Sequence, residues 1–153
     1  MRAVLQRTLA ASVEVDGRET ARIGKGLAIL LGVCVGDGEA EADKLAEKTA
    51  ELRIFEDGGG KLNLSLLDVG GAALVVSNFT LYGDCSHGRR PSFIRAERPE
   101  RARALYERYI DKLREHGVAE IGTGVFGADM RYSILNDGPV TVILDTAEMA
   151  AQK

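Results

Sequence analysis

Two apolar runs constrain this chain most. Leu27 to Val35 and Ala72 to Phe79 each have the length of a buried strand, and Val75 and Val76 sit at the centre of the second. Two stretches carry helical periodicity instead. Glu39 to Arg53 places Ala42, Leu45, Ala46, Thr49 and Leu52 on one face, with Asp37 positioned to cap its start. Glu97 to His116 places Ala102, Leu105, Tyr106, Tyr109, Ile110 and Leu113 on one face, with Pro99 in its first turn and Gly117 at its end. Two such helices cannot cover both faces of the sheet these strands would form. Val4, Leu30, Val76, Ile134 and Val142 therefore need cover from a curl in the sheet or from a second copy of the chain. Closed two-fold dimers are the commonest assembly, so a homodimer is expected.

Further strands are expected at Arg2 to Arg7 and Ala11 to Val15, and a hairpin turn at Asp16-Gly17 leads to Thr20 to Ile23. Ala128 to Leu135 and Val140 to Asp145 read as two strands joined by a turn at Asn136-Asp137-Gly138. The fold class is α+β: a mainly antiparallel sheet, curled toward a barrel, with two amphipathic helices. At 153 residues the chain is the size of one domain. Residues 1–146 form that domain, and 147–153 are expected to be a frayed tail.

Several chemistries are disfavoured. No apolar stretch is long enough to span a bilayer. The start of the sequence lacks the apolar region and cleavage site of a signal peptide, so a cytoplasmic location is expected. Cys34, Cys85, His87 and His116 are scattered, without metal-ligand spacing, and no metal site is expected. Asp57-Gly58-Gly59-Gly60-Lys61 lacks the Ser or Thr that a phosphate loop needs after its Lys, and reads as a plain turn. A formal net charge of −3 argues against broad nucleic-acid binding, and no DNA partner is expected. A local basic patch remains: Arg89, Arg90, Arg95 and Arg98 fall within ten residues. It is either a solvated loop paired with Glu97 and Glu100 or a phosphate contact.

Two segments hold the residues of most chemical interest. Ser77-Asn78-Phe79-Thr80-Leu81 closes an apolar strand with two hydroxyls and an amide, at the kind of rigid edge where sites are built. No Asp or His adjoins Ser77 or Thr80, so no Ser-His-Asp triad can be asserted. If this segment is catalytic, its backbone N–H groups can serve as an oxyanion hole; as a bare pattern it is a strand ending in Thr. Asn136-Asp137-Gly138-Pro139 puts a Pro directly after a turn, where it removes a ladder donor. It is either an edge-strand Pro or a deliberate kink that admits a cis bond.

Taken together, Ser77-Asn78-Phe79-Thr80-Leu81 and Asn136-Asp137-Gly138-Pro139-Val140-Thr141 resemble the two signature segments of the D-aminoacyl-tRNA deacylase family. Leu5-Gln6-Arg7, Gly71 to Val76, Arg90-Pro91-Ser92-Phe93, Ala104-Leu105-Tyr106 and Phe126-Gly127-Ala128-Asp129-Met130 resemble family stretches in the same order. One departure is that the family's first motif usually carries Gln where this chain has Asn78. The resemblance implies a homodimer that hydrolyses the ester of tRNA charged with a D-amino acid or with glycine, without metal or organic cofactor. It implies that Phe79 and Thr80 present backbone donors beside Ser77. It also implies that Asn78, Phe126 and Met130 line the substrate pocket. Gly138-Pro139 would be cis, braced by Arg7, and would enter the partner's pocket to exclude L-amino acids. Arg89, Arg90 and Arg95 would meet tRNA phosphates. Two other readings are a less specific aminoacyl-ester or peptidyl-tRNA hydrolase, and a non-catalytic binder of the tRNA acceptor end.

Overall fold

A computed structural model describes residues 1–151. The long first strand, β1 (Arg2–Val15), organises the sheet. One of its edges carries two strands in turn, β3 (Gly26–Gly32) along its first half and β2 (Arg18–Ile23) along its second, both antiparallel. Its other edge carries β8 (Arg131–Asp145) along nearly its whole length. Beyond β3 the sheet continues in parallel through β6 (Ala72–Ser77) to β7 (Ile121–Thr123). The sheet is therefore mixed, with a parallel part added to the antiparallel part that the sequence suggests. Its ends curl toward one another: a Cβ on Gly122 of β7 would lie 3.4 Å from Ala21 Cβ and 3.6 Å from Ile23 Cγ2 of β2. A separate small hairpin pairs β4 (Phe55–Glu56) with β5 (Leu62–Leu64) around the Asp57 turn.

The curl answers the coverage problem through the two-residue alternation of strand side chains. On β6, Ala73 and Val75 face the helices, while Leu74 and Val76 face the interior of the curl. On β3, Leu27, Ile29 and Leu31 join the helical core and Ala28 joins the interior. Leu30 and Ile134 pack against the interior cluster, and Val142 packs against the helical one. On β1 and β8, Leu135 (59% exposed), Ile143 (62%) and Leu9 (53%) stand in solvent.

Helix α1 (Glu39–Glu51) buries Ala42, Leu45, Ala46 and Thr49. Its start is Gly38, whose N–H donates to Glu41 at 2.8 Å; Asp37 turns back instead to accept the Cys34 N–H. Helix α2 (Pro99–Glu115) buries Leu105, Tyr106, Tyr109, Ile110 and Leu113. Arg108 joins the two helices by a bidentate pair with Asp43, at 2.6 and 2.7 Å. The segment expected to fray begins as a helix, α3 (Thr146–Ala151), and positions 152–153 lie outside the described residues.

The expected hairpin between 128 and 145 does not form. β8 is a single strand, because β1 is long enough to pair with both halves of it. The Asp137-Gly138 pair makes a protruding loop in that strand instead of reversing it. Among the described residues no helix is long and apolar enough to cross a membrane.

Candidate active site

Strand β6 ends at Ser77, and the chain turns at once into a 3₁₀ turn, Phe79–Tyr82. The first N–H groups of such a turn have no partner within it. Asn78 N–H donates back to Leu31 O at 2.8 Å and Leu81 N–H to Asn78 O at 3.4 Å. The N–H groups of Phe79 and Thr80 donate to no protein acceptor among the described residues. The Thr80 hydroxyl donates to Asn78 Oδ1 at 2.5 Å. The shorter amide of Asn78 thus reaches its neighbour's hydroxyl, and no carboxylate or imidazole takes a hydrogen bond from Thr80.

A largely apolar cleft of about 740 Å³ opens beside this strand end. It brings together Ser77, Asn78, Phe79, Phe126 and Met130 of the residues singled out in the sequence. Thr80 adjoins it through Asn78 and is exposed. A Cβ on Gly124 would lie 2.7 Å from Met130 Sδ and 3.3 Å from Val76 Cγ2, so Met130 packs closely against the glycine here.

Sequence reasoning missed much of the lining. Tyr106 looks like a core residue of α2, yet it walls the cleft while its hydroxyl donates to Val75 O at 2.8 Å. Tyr132 does the same from β8, donating to Leu74 O at 2.8 Å and accepting the Ile29 N–H at 3.0 Å. Burial pushes the Tyr106 phenol up to about 12 and raises that of Tyr132 further, so neither ionises near neutral pH. Phe93 closes the mouth, edge-on to Phe79 with ring centroids 5.3 Å apart. Glu97 and Arg98 also line it, but the Glu97 carboxylate is taken by the Arg98 N–H at 2.8 Å and by Arg101 at 3.5 Å. Arg89, Arg90 and Arg95 lie outside the cleft, exposed, with no carboxylate within ion-pair distance among the described residues.

Arg7, Gly138 and Pro139 are not part of this cleft. Ser77 pairs with Leu31 and Leu31 with Ala3, whereas the loop carrying Gly138 stands opposite Arg7. Ala3 and Arg7 are four residues apart, roughly 13 Å along the strand. Arg7, buried, donates from Nε to Asp137 O at 3.2 Å and lies 3.3 Å from Asp137 Oδ2. Its other nitrogens reach Ile54 O at 3.2 Å and Glu56 at 3.6 Å. The Gly138-Pro139 peptide is cis. Among the described residues no group of three or more His, Cys, Asp or Glu is placed to hold a metal ion.

Free backbone donors at a strand end beside an apolar cleft, with no acid–base pair at that strand end among the described residues, fit the class of small α+β hydrolases. The sequence narrows this class. The chain belongs to the D-Tyr-tRNA(Tyr) deacylase family, whose pattern matches residues 4–145. It is 59% identical to the D-aminoacyl-tRNA deacylase of Roseiflexus castenholzii over 96% of this chain and 93% of that one. It is 54% identical to that of Myxococcus xanthus over 100% of this chain and 99% of the other. Among solved structures it resembles the c-Myc DNA Unwinding Element Binding Protein, with TM-score 0.90, 39% identity, and 95% and 98% of the two chains covered. A probable eukaryotic D-amino acid tRNA deacylase shares the fold at TM-score 0.80 and 18% identity, over 94% and 98% of the chains.

Proposed function

We propose that this chain hydrolyses the ester joining a D-amino acid to the terminal adenosine of tRNA, and that it also cleaves glycyl-tRNA. The observation that carries the reaction is the pair of unpartnered N–H groups at Phe79 and Thr80 beside the cleft. Water adds to the ester carbonyl carbon, and the oxygen that gains charge is held by those donors. The carbon–oxygen bond to the ribose then breaks, the ribose oxygen takes up a proton, and a free amino acid and tRNA are released. Thr80 and Ser77 position water and substrate, and the ribose 2′-hydroxyl assists where the protein offers no base. Asn78, Phe126 and Met130 hold the substrate from the cleft walls. No metal or organic cofactor enters the reaction.

The working unit is a homodimer in the cytoplasm, with residues 1–146 as its functional domain. The exposed large apolar side chains of Leu9, Leu135 and Ile143 on β1 and β8 support a second copy. Gly138-Pro139 of the partner subunit enters the cleft, its carbonyls holding the α-amino group and crowding any side chain in the L position. Glycine passes because it has nothing to exclude. The exposed Arg89, Arg90 and Arg95 meet phosphates of the acceptor end.

Turnover of D-tyrosyl-, L-tyrosyl- and glycyl-tRNA, with a chelator present, tests this reading. Cleavage of the D and glycyl forms with the L form spared is expected. Equal cleavage of D and L forms would indicate a less specific ester or peptidyl-tRNA hydrolase. Binding without turnover would indicate an acceptor-end binder.

A further inference from the structure

The loop that carries Gly138 and Pro139 is held by a clamp of its own. Along β8 the pairing with β1 passes from Thr8↔Asn136 to Gln6↔Thr141, so residues 137–140 stand out opposite Arg7 alone. Asn136 closes the base of this loop. Its Oδ1 accepts the Val140 N–H at 3.2 Å, and its Nδ2 donates to Thr141 Oγ1 at 3.0 Å. Thr141 Oγ1 also accepts from Gln6 Nε2 at 3.3 Å, which ties the far end of the loop to β1. The near end is tied separately, by Arg7 to Asp137. There is little slack between these ties: a Cβ on Gly138, whose φ is +126°, would lie 2.9 Å from Val140 Cγ2 and 3.1 Å from Arg7 Nη2.

We infer that Asn136, backed by Thr141 and Gln6, is a positioning residue that determines specificity: it fixes where the Gly138 and Pro139 carbonyls project, and so which chirality the neighbouring cleft admits. The inference rests on the proposed role of Gly138-Pro139 as the gate. Pro139 has no N–H, so the Val140 N–H is the first donor after the projecting pair, and the Asn136 side chain is what receives it. The site asks for an acceptor toward Val140 and a partner for a hydroxyl, both at the reach of a two-carbon side chain. Asp meets both demands, because the Thr141 hydroxyl can donate to its second oxygen. Ala meets neither.

The test measures hydrolysis of D-tyrosyl-tRNA and L-tyrosyl-tRNA by the intact chain and by N136A, N136D, T141V and P139A, alongside Tm and hydrogen exchange of the Val140 amide. In N136A the D-over-L ratio falls about tenfold, which is about 1.4 kcal/mol, mainly through faster L hydrolysis, with Tm little changed. The Val140 amide exchanges faster in N136A, and N136D restores both the ratio and the protection. If N136A does not fold, T141V, which removes the hydroxyl that accepts from both Asn136 Nδ2 and Gln6 Nε2, must lower the ratio; a T141V protein that keeps the full ratio then overturns the inference. A folded N136A protein that keeps the full ratio while P139A loses it also overturns the inference, and so does one that slows D and L hydrolysis equally. A P139A protein with undiminished discrimination sinks the gate itself, and the inference with it.

Discussion

Replacing Thr80 with Val separates two chemistries at the proposed reaction floor. Val keeps the branched shape and the backbone of the 3₁₀ turn, so the N–H groups of Phe79 and Thr80 stay in place. What is lost is one hydroxyl and its hydrogen bond to Asn78 Oδ1. A neutral hydrogen bond at an exposed position is worth about 0.5–1.5 kcal/mol, which predicts a loss of about two- to tenfold in kcat/KM. Were Thr80 the nucleophile, its removal would cost on the order of 10⁴-fold or more, as deleting a nucleophile does elsewhere. The structure argues against that role, because the hydroxyl spends its proton on an amide oxygen and touches no base among the described residues. The assay is single-turnover deacylation of D-tyrosyl-tRNA, with a parallel search for an acyl-enzyme by acid quench. A loss beyond about a thousandfold in a folded T80V protein, or a trapped acyl-enzyme, would refute the backbone account.

Three further outcomes are expected. Tyr132→Phe keeps the cleft wall but removes the hydroxyl that accepts the Ile29 N–H and donates to Leu74 O, at about 1–3 kcal/mol; Tm should fall by about 2–10 °C, as thermal denaturation would show. Arg108 holds the Asp43 carboxyl below its usual 3.8, so this pair stabilises above the unfolded pKa and its contribution is lost as pH falls through the lower folded value. Asp43→Asn should therefore lower Tm by about 1–3 °C at neutral pH, with the gap to the parent closing in acid titration. Ile143→Arg puts a charge on an exposed apolar position of β8 and should yield monomers by light scattering, with loss of turnover.

The two helices and the two apolar strands were legible because their periodicities are unmixed. Along β6, side chains point alternately to two different cores, and this appears in sequence as an unbroken apolar run. The reversal expected at Asp137-Gly138 failed for a long-range reason: β1 runs from Arg2 to Val15 and pairs with both halves of β8, so the turn residues form a projecting loop. The 3₁₀ turn after Ser77 was hidden because Phe79, Thr80 and Tyr82 all favour strands locally. Tyr106 and Tyr132 fit a core pattern, and only the structure shows their hydroxyls spent on the backbone and their rings turned to the cleft. The two signature segments were legible as motifs. Their separation within one copy was implied by the family resemblance alone, since it depends on strand register.

That separation makes the composite site the claim to test most directly. On a background in which Cys34 and Cys85 are Ser, tagged copies carrying Phe79→Cys would be mixed with untagged copies carrying Pro139→Cys and oxidised gently. The account predicts a disulfide joining one tagged and one untagged copy, formed in high yield and at dimer mass. No cross-link between copies, or a link that forms only within a single chain carrying both substitutions, would contradict it.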